Sequence, residues 1–279
     1  MSIRAGVLQQ LGTRTLLMGI LNVTPDSFSD GGRYVSIEAA LAHAKRLMEE
    51  GADIIDIGGE STRPGADPVP LEEELMRVIP VINAVRKELP NARISIDTYK
   101  APVAERALEA GADMINDVSA LQLDPRMAKV VAQADVPVVL MHMLRTPKTM
   151  QQSPTYQDVV GEIMQFLRER ILWAMDQGMS EEKIIIDPGI GFGKKPEHNT
   201  EILRRLSELT VLKRPLLLGT SRKSFLGALT KRPVEQRLEE TIASVVIGVL
   251  HGADIVRVHD VAAVKYALMV ADAIRYHID

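Results

Sequence analysis

The chain of 279 residues contains no cysteine. That absence removes disulfides, thiolate zinc sites and a cysteine nucleophile together, and it suits a reducing compartment. No apolar run reaches the length of a membrane span, and the start, MSIRAGVLQQLGTRTLL, lacks the unbroken apolar core of a signal peptide. No basic block stands against the net charge of −4, which argues against a nucleic-acid binder. The six histidines form neither an HxH nor an HExxH pattern, and no GxSxG elbow occurs. A cytoplasmic protein is expected.

With 46% hydrophobic residues the chain can bury a sizeable core unaided. No low-complexity stretch or linker divides it, so residues 1–279 read as a single domain with a core over about 15–277. EEGADIIDIGGES (49–61), LEAGADMINDVSA (108–120) and LHGADIVRVHD (250–260) repeat one plan: helix end, Gly-Ala-Asp, short apolar run, polar exit. Gly51, Gly111 and Gly252 suit the left-handed position just past a helix. The apolar runs lack polar alternation, as strands covered on both faces do.

Strands are expected near 15–21, 53–57, 93–97, 113–116, 136–141, 183–187, 215–219 and 254–258. Helical patterns fall between them, for example at 36–50, 157–175 and 234–250, and Asp124-Pro125 marks another helix start. Strict strand–helix alternation with eight strands predicts a closed (β/α)8 TIM barrel, with an open doubly wound sheet as the alternative.

The strands finish on polar residues: Asn22, Glu60, Asp97, Asn116, His142, Asp187, Lys223, then Arg257 with His259. An unpaired charge in an apolar interior costs several kcal/mol, about as much as burying one or two aliphatic side chains returns. Such endings need water or a polar ligand, and eight of them predict a shared polar mouth. SRKS (221–224) and RVHD (257–260) follow the seventh and eighth strands, the loops that commonly build phosphate sites in such barrels. Lys223, Arg257 and His259 would bring positive or proton-donating groups to one anion.

IDT (96–98), INDVS (115–119) and DPGIGFGK (187–194) supply Asp97, Asn116 and Asp187, which could read the donor edge of a flat heterocycle or pair internally with cations. GIGFG lies too late in the chain for a dinucleotide fingerprint and reads as a close backbone turn with Phe192 at its tip. GILNVTPDSFSDGGRY (19–34) is either a surface loop anchored by Phe28 or a flap over a ligand, with Asn22 able to offer an amide oxygen to magnesium. GGESTRPGADP (58–68) carries Thr62, Arg63 and Pro64. His142, between two methionines, suits a satisfied core histidine better than a base, and His43 and His251 fall on helices.

NVTPDSFSDGG, GGESTRPG, SIDT, INDVS, DPGIGFGK, GTSRKS and RVHD, in this order, resemble the dihydropteroate synthase family of bacterial folate biosynthesis, from about Thr15 onward. The resemblance implies a transferase that condenses (7,8-dihydropterin-6-yl)methyl diphosphate with p-aminobenzoate, diphosphate leaving before the amine attacks. It implies a pterin pocket of Asp97, Asn116, Asp187 and Lys223 with Met141 against the ring, and magnesium on Asn22. The diphosphate would meet Thr62, Arg63, Arg257 and His259 beside Asn22. The p-aminobenzoate would meet Phe28, Thr62, Pro64, Phe192 and Ser224. Asp97, Lys223, Arg257 and His259 are the implied catalytic residues, and a homodimer targeted by sulfonamides is expected. The alternatives are a barrel binding a methylated folate for methyl transfer, a Schiff-base aldolase using Lys223, and a pterin carrier. After His142-Met143 the family often has glycine two residues on, where this chain has Arg145.

Overall fold

The structure, a computed structural model, describes residue 6 and residues 8–24 and 37–276. Eight parallel strands alternate with helices: β1 Leu16–Asn22, α1 Ile37–Glu50, β2 Ile54–Gly58, α2 Leu71–Glu88, β3 Arg93–Asp97, α3 Ala101–Glu109, β4 Met114–Asp117, α4 Met127–Ala134 and β5 Val138–Met141. The second half continues with α5 Val159–Asp176, β6 Ile184–Asp187, α6 Pro196–Arg204, β7 Leu217–Leu218, α7 Ser224–Thr230, α8 Leu238–Leu250, β8 Ile255–Val258 and α9 Val261–Tyr276. The strand order is β6-β5-β4-β3-β2-β1-β8-β7. A parallel bridge between Ile186 and Leu216, with Ile186 N–H donating to Pro215 O at 2.9 Å, closes the ring. This is a TIM barrel.

Each strand serves two cores by its period of two. Outward residues such as Leu17, Ile55, Ile94, Ile115, Val138, Ile184 and Val256 pack on the helices. Inward residues form a separate plug of Leu16, Met18, Ile54, Met114, Val139, Ile185, Leu217 and Ile255. Two residues on from that plug the inward positions turn polar: Asp56, Asn116, Asp187 and Arg257 follow Ile54, Met114, Ile185 and Ile255. The barrel is therefore apolar at its floor and polar above it.

The Gly-Ala-Asp repeats have a structural reason. Gly51, Gly111 and Gly252 take φ of +107°, +111° and +111°, where a side chain is strained. The following alanine N–H then reaches back to a helix carbonyl, as Ala112 does to Ala107 O at 2.8 Å. Each aspartate grips the entry of a neighbouring strand. Asp113 N–H donates to Ile94 O at 2.7 Å, while its Oδ2 accepts the Ile94 N–H at 2.9 Å. Asp53 does the same to Leu17, and Asp254 to Leu216. Arg14, Arg86 and Arg275 pair with the three carboxylates. Three strand entries at the barrel's N-terminal face are thus fastened by one device.

The expected strand 215–219 shortens to Leu217–Leu218: the Leu216 N–H goes to the Asp254 carboxylate and its carbonyl accepts from the Asp254 and Ile255 N–H groups. Asp124 starts a turn rather than a helix: its Oδ1 accepts the Arg126 N–H at 3.0 Å, and α4 begins at Met127.

Candidate active site

Asp56 is the centre of the polar layer. It is fully buried (0% exposed), and its Oδ2 accepts from Arg257 Nε at 2.6 Å and from Asn116 Nδ2 at 3.1 Å. A second nitrogen of Arg257 donates to Asp97 Oδ2 at 2.8 Å. Two acids on adjacent strands therefore share one guanidinium, whose side chain stays 22% exposed toward the mouth. The pairing spans 201 and 160 residues of sequence, which only the closed barrel brings together.

Three buried oxygens at this level have no hydrogen-bond partner: Asp56 Oδ1, Asp97 Oδ1 and Ser95 Oγ. Strand register sets Asp56 beside Ser95 and Gly58 beside Asp97, so all three face one space. Leaving a buried polar atom unmade costs about 1–3 kcal/mol, and natural structures keep few such atoms without a reason. Burial pushes the Asp97 carboxyl up to about 7, against the pull of Arg257 and with the help of Asp56. Burial also raises Asp187, which Lys223 pulls down and whose Oδ1 accepts the Gly189 N–H at 2.6 Å. Burial opposes the charge on Arg257, yet Asp56 and Asp97 hold its pKa above the ordinary value.

Lys223 enters from the seventh loop. Its ammonium donates to Ile190 O and lies 4.7 Å from the centre of the Phe192 ring, a cation–π contact. Burial lowers it to about 8, although Asp187 favours its charge. A Cβ on Gly219 would lie 3.8 Å from Arg257 Cβ and 3.9 Å from Lys223 Nζ, so the two cations flank one glycine. Met141 and Phe192 pack in one apolar cluster with Met143 and Met150, forming a wall beside the acids. His259 joins the rim through Ser221, and burial together with Arg257 lowers its pKa to about 3. Its contribution to the rim is a neutral imidazole, not a positive charge.

Five predicted residues thus converge: Asp97, Asn116, Asp187, Lys223 and Arg257. Asn22 ends β1 half-buried, opposite Gly58. Thr62, Arg63 and Pro64 lie in the second loop, with Arg63 close enough to act on His259. That loop is tied to the fifth by Gly65 N–H donating to Pro147 O at 3.2 Å and by Lys148 pairing with Asp67 at 2.7 Å. Arg145 occupies a left-handed position, φ +64°, a backbone conformation that favours glycine. Ser224 is exposed at the start of α7. Phe28 lies outside the described residues.

Two strand endings do not join the mouth. Glu60 turns to Lys100 and accepts the Tyr99 hydroxyl at 2.5 Å, while Lys100 also bonds Glu74, so this network anchors the second loop. His142 follows the inward Met141 and so points outward, where it meets Lys194 Nζ at 2.9 Å and the edge of Phe166. Lys194 is 3% exposed and donates to His142 Nδ1, His142 O and Phe192 O. Burial drives its pKa well down, but three acceptors for three protons suit an ammonium. It pins the turn that carries Phe192. Asp56, Ser95 and Lys194 join the site although none of them is the polar end of a strand. Asp56 was legible in principle, since its inward phase follows from Ile54 and Gly58 in IIDIG.

The family model for pterin binding enzymes matches residues 18–259. A dihydropteroate synthase from Synechocystis is 50% identical over 264 residues, 94% of this chain and 91% of that protein. The solved Xanthomonas albilineans dihydropteroate synthase with 4-aminobenzoic acid superposes at a TM-score of 0.88, with 50% identity over 94% of this chain and 93% of the other. The Yersinia pestis dihydropteroate synthase, solved with a sulfonamide drug complex, gives 0.89 at 46% identity over 94% of both. With this match across nearly all of its length, the chain belongs to the dihydropteroate synthase family of pterin-binding enzymes.

Proposed function

We infer that this enzyme condenses (7,8-dihydropterin-6-yl)methyl diphosphate with p-aminobenzoate, giving 7,8-dihydropteroate and diphosphate for folate biosynthesis. One observation carries the reading: unpartnered, buried acceptors on β2 and β3 sit beside the Arg257 guanidinium, with Lys223 near enough to act on Asp97. A flat heterocycle rich in N–H donors satisfies the acceptors, and an anionic leaving group faces the cations.

In this reading Asp97, Asn116 and Asp187 take the pterin edge, Met141 packs on the ring and Lys223 bonds its polar rim. Asn116 already gives its Nδ2 to Asp56, which leaves the amide oxygen to accept from the ligand. Arg257, His259, Thr62, Arg63 and Asn22 receive the diphosphate. Lys223 and Arg257 neutralise charge as the carbon–oxygen bond breaks, and His259 donates a hydrogen bond. The Asp97 carboxylate favours the electron-poor pterin that remains. The p-aminobenzoate amine then attacks within Phe28, Thr62, Pro64, Phe192 and Ser224, a site that sulfonamides would occupy. No covalent enzyme intermediate is needed. Diphosphate released in a single turnover without p-aminobenzoate supports this order, and strict dependence on p-aminobenzoate removes it.

Among the described residues no group of three His, Asp or Glu side chains is placed to hold a metal ion. The single amide oxygen of Asn22 fits magnesium arriving with the diphosphate, since that ion keeps mostly water and phosphate ligands. When bound, it would neutralise diphosphate charge. A methyl-transferring folate barrel would need the acidic layer but not the paired cations, so Lys223 and Arg257 favour the synthase. Exposed Ile247 and Leu250 on α8, with Tyr266, Met269, Val270 and Ile274 on α9, offer an apolar face for a homodimer. A cytoplasmic location suits the cysteine-free chain.

The reading is tested by calorimetric binding of the reduced pterin to wild type, Asp97→Asn and Asp187→Asn. Each variant should bind at least about tenfold more weakly, the loss of a charge-assisted pair of hydrogen bonds. Unchanged affinity in both would overturn the assignment of the acidic layer.

A further inference from the structure

Ser221 follows β7 and His259 follows β8, and two contacts join them. The His259 backbone N–H donates to Ser221 Oγ at 3.2 Å, and the same Oγ lies 3.0 Å from His259 Nδ1. A hydroxyl has one proton and two lone pairs. One lone pair is taken by the backbone N–H. If Nδ1 also carried a proton, Oγ would accept twice, and its own proton would lack any acceptor among the described residues. Ser221 is buried at 6% exposure, so that arrangement leaves a donor unmade at a cost the alternative avoids. The economical arrangement sends the hydroxyl proton to Nδ1, which must then be bare. The ring proton sits on Nε2, at the edge turned away from Ser221.

The charged surroundings agree with a neutral ring. Arg257, Arg222 and Arg63 all act against a charge on His259, while Asp260 favours one. Asp260 is itself engaged by Arg222 through a guanidinium pair. Two ties from one hydroxyl, to the ring and to the backbone of the same residue, fix both the position of the loop and the rotation of the imidazole.

We propose that Ser221 is a positioning residue of the diphosphate rim: its hydroxyl locks His259 as the Nε2–H tautomer, so that a neutral N–H donor faces the departing anion. The proposal rests on the reading of His259 as a diphosphate contact. It divides the rim by chemistry. Arg257 and Lys223 supply charge, while His259 supplies a donor of fixed direction that neither gains nor loses a proton as the diphosphate leaves.

The test uses the full chain with histidine ring nitrogens isotopically labelled, His259 being assigned by its absence in His259→Gln. Nuclear magnetic resonance near neutral pH should show the His259 ring proton on Nε2 and a bare Nδ1. Ser221→Ala should give a mixture of tautomers and a three- to tenfold weaker inhibition by inorganic diphosphate, roughly the worth of one hydrogen bond. Ser221→Thr, which keeps the hydroxyl, should restore both the Nε2–H signal and inhibition to within about twofold of wild type. A proton on Nδ1 in the wild type overturns the proposal, as does a Ser221→Ala enzyme with an unaltered tautomer. If His259→Gln inhibits like wild type while the Nε2–H signal stands, the lock survives and the diphosphate role of His259 fails, so the two failures are distinguishable.

Discussion

Replacing Arg257 with methionine keeps most of the aliphatic stem and removes the charge that Asp56 and Asp97 share. Asp56 would retain only the Asn116 amide at 3.1 Å, and Asp97 Oδ2 would lose its guanidinium. Breaking a buried pair by deleting one partner costs about 3–5 kcal/mol, and the 22% exposure of the arginine reduces that to roughly 2–4. At about 2–3 °C per kcal/mol for a chain of this size, Tm should fall by roughly 5–10 °C. The loss must depend on pH. Asp97 titrates near 7 in the folded protein, above its ordinary value, so its share of stability is full at low pH and fades as pH rises through 7. Without Arg257 that carboxyl is pushed higher still, and the gap between variant and wild type widens from pH 6 to pH 8. Urea denaturation at the two pH values measures it. An equal loss at both, or none at either, would refute the shared-guanidinium account.

The opposite end of the barrel separates stability from chemistry. Asp113→Ala should cost about 2–3 kcal/mol, because it strands the Ile94 N–H and takes the carboxylate partner from Arg86, which keeps only backbone carbonyls, while kcat/KM for both substrates stays within about twofold. Thermal unfolding and steady-state kinetics check both halves. Lys223 titrates near 8, charged below and neutral above, so inhibition by diphosphate should weaken as pH rises through 8. In Lys223→Arg that limb should disappear, since arginine keeps its proton, and the same limb in both proteins would assign it elsewhere. Lys194→Met should loosen the turn that carries Phe192, raising KM for p-aminobenzoate about tenfold with little change in pterin affinity, as loss of a buried charged anchor implies. Equal changes for both substrates would contradict the loop role.

The sequence made the barrel readable because each strand–helix unit repeats the same physical problem, and the three Gly-Ala-Asp copies solve it in the same way. The upper rim was readable where polarity breaks an apolar run, as at Asp97, Asn116 and Asp187. Asp56 escaped because it interrupts its strand from within rather than ending it, although it shares the inward phase of Ile54 in IIDIG. Glu60 misled for the converse reason: it is polar after a strand, but the chain has already turned and its partner Lys100 lies on another loop, whereas His142 is the satisfied core histidine that its two methionine neighbours suggest, paired with Lys194. Lys194 and Ser221 work through contacts between segments distant in the chain, which spacing along one segment does not encode.

The most direct measurement mixes the purified protein with (7,8-dihydropterin-6-yl)methyl diphosphate, p-aminobenzoate and magnesium and follows both products by mass spectrometry. The account predicts 7,8-dihydropteroate and diphosphate in equal amounts, with Arg257→Met severely impaired. A protein that binds the pterin tightly yet forms neither product would contradict it.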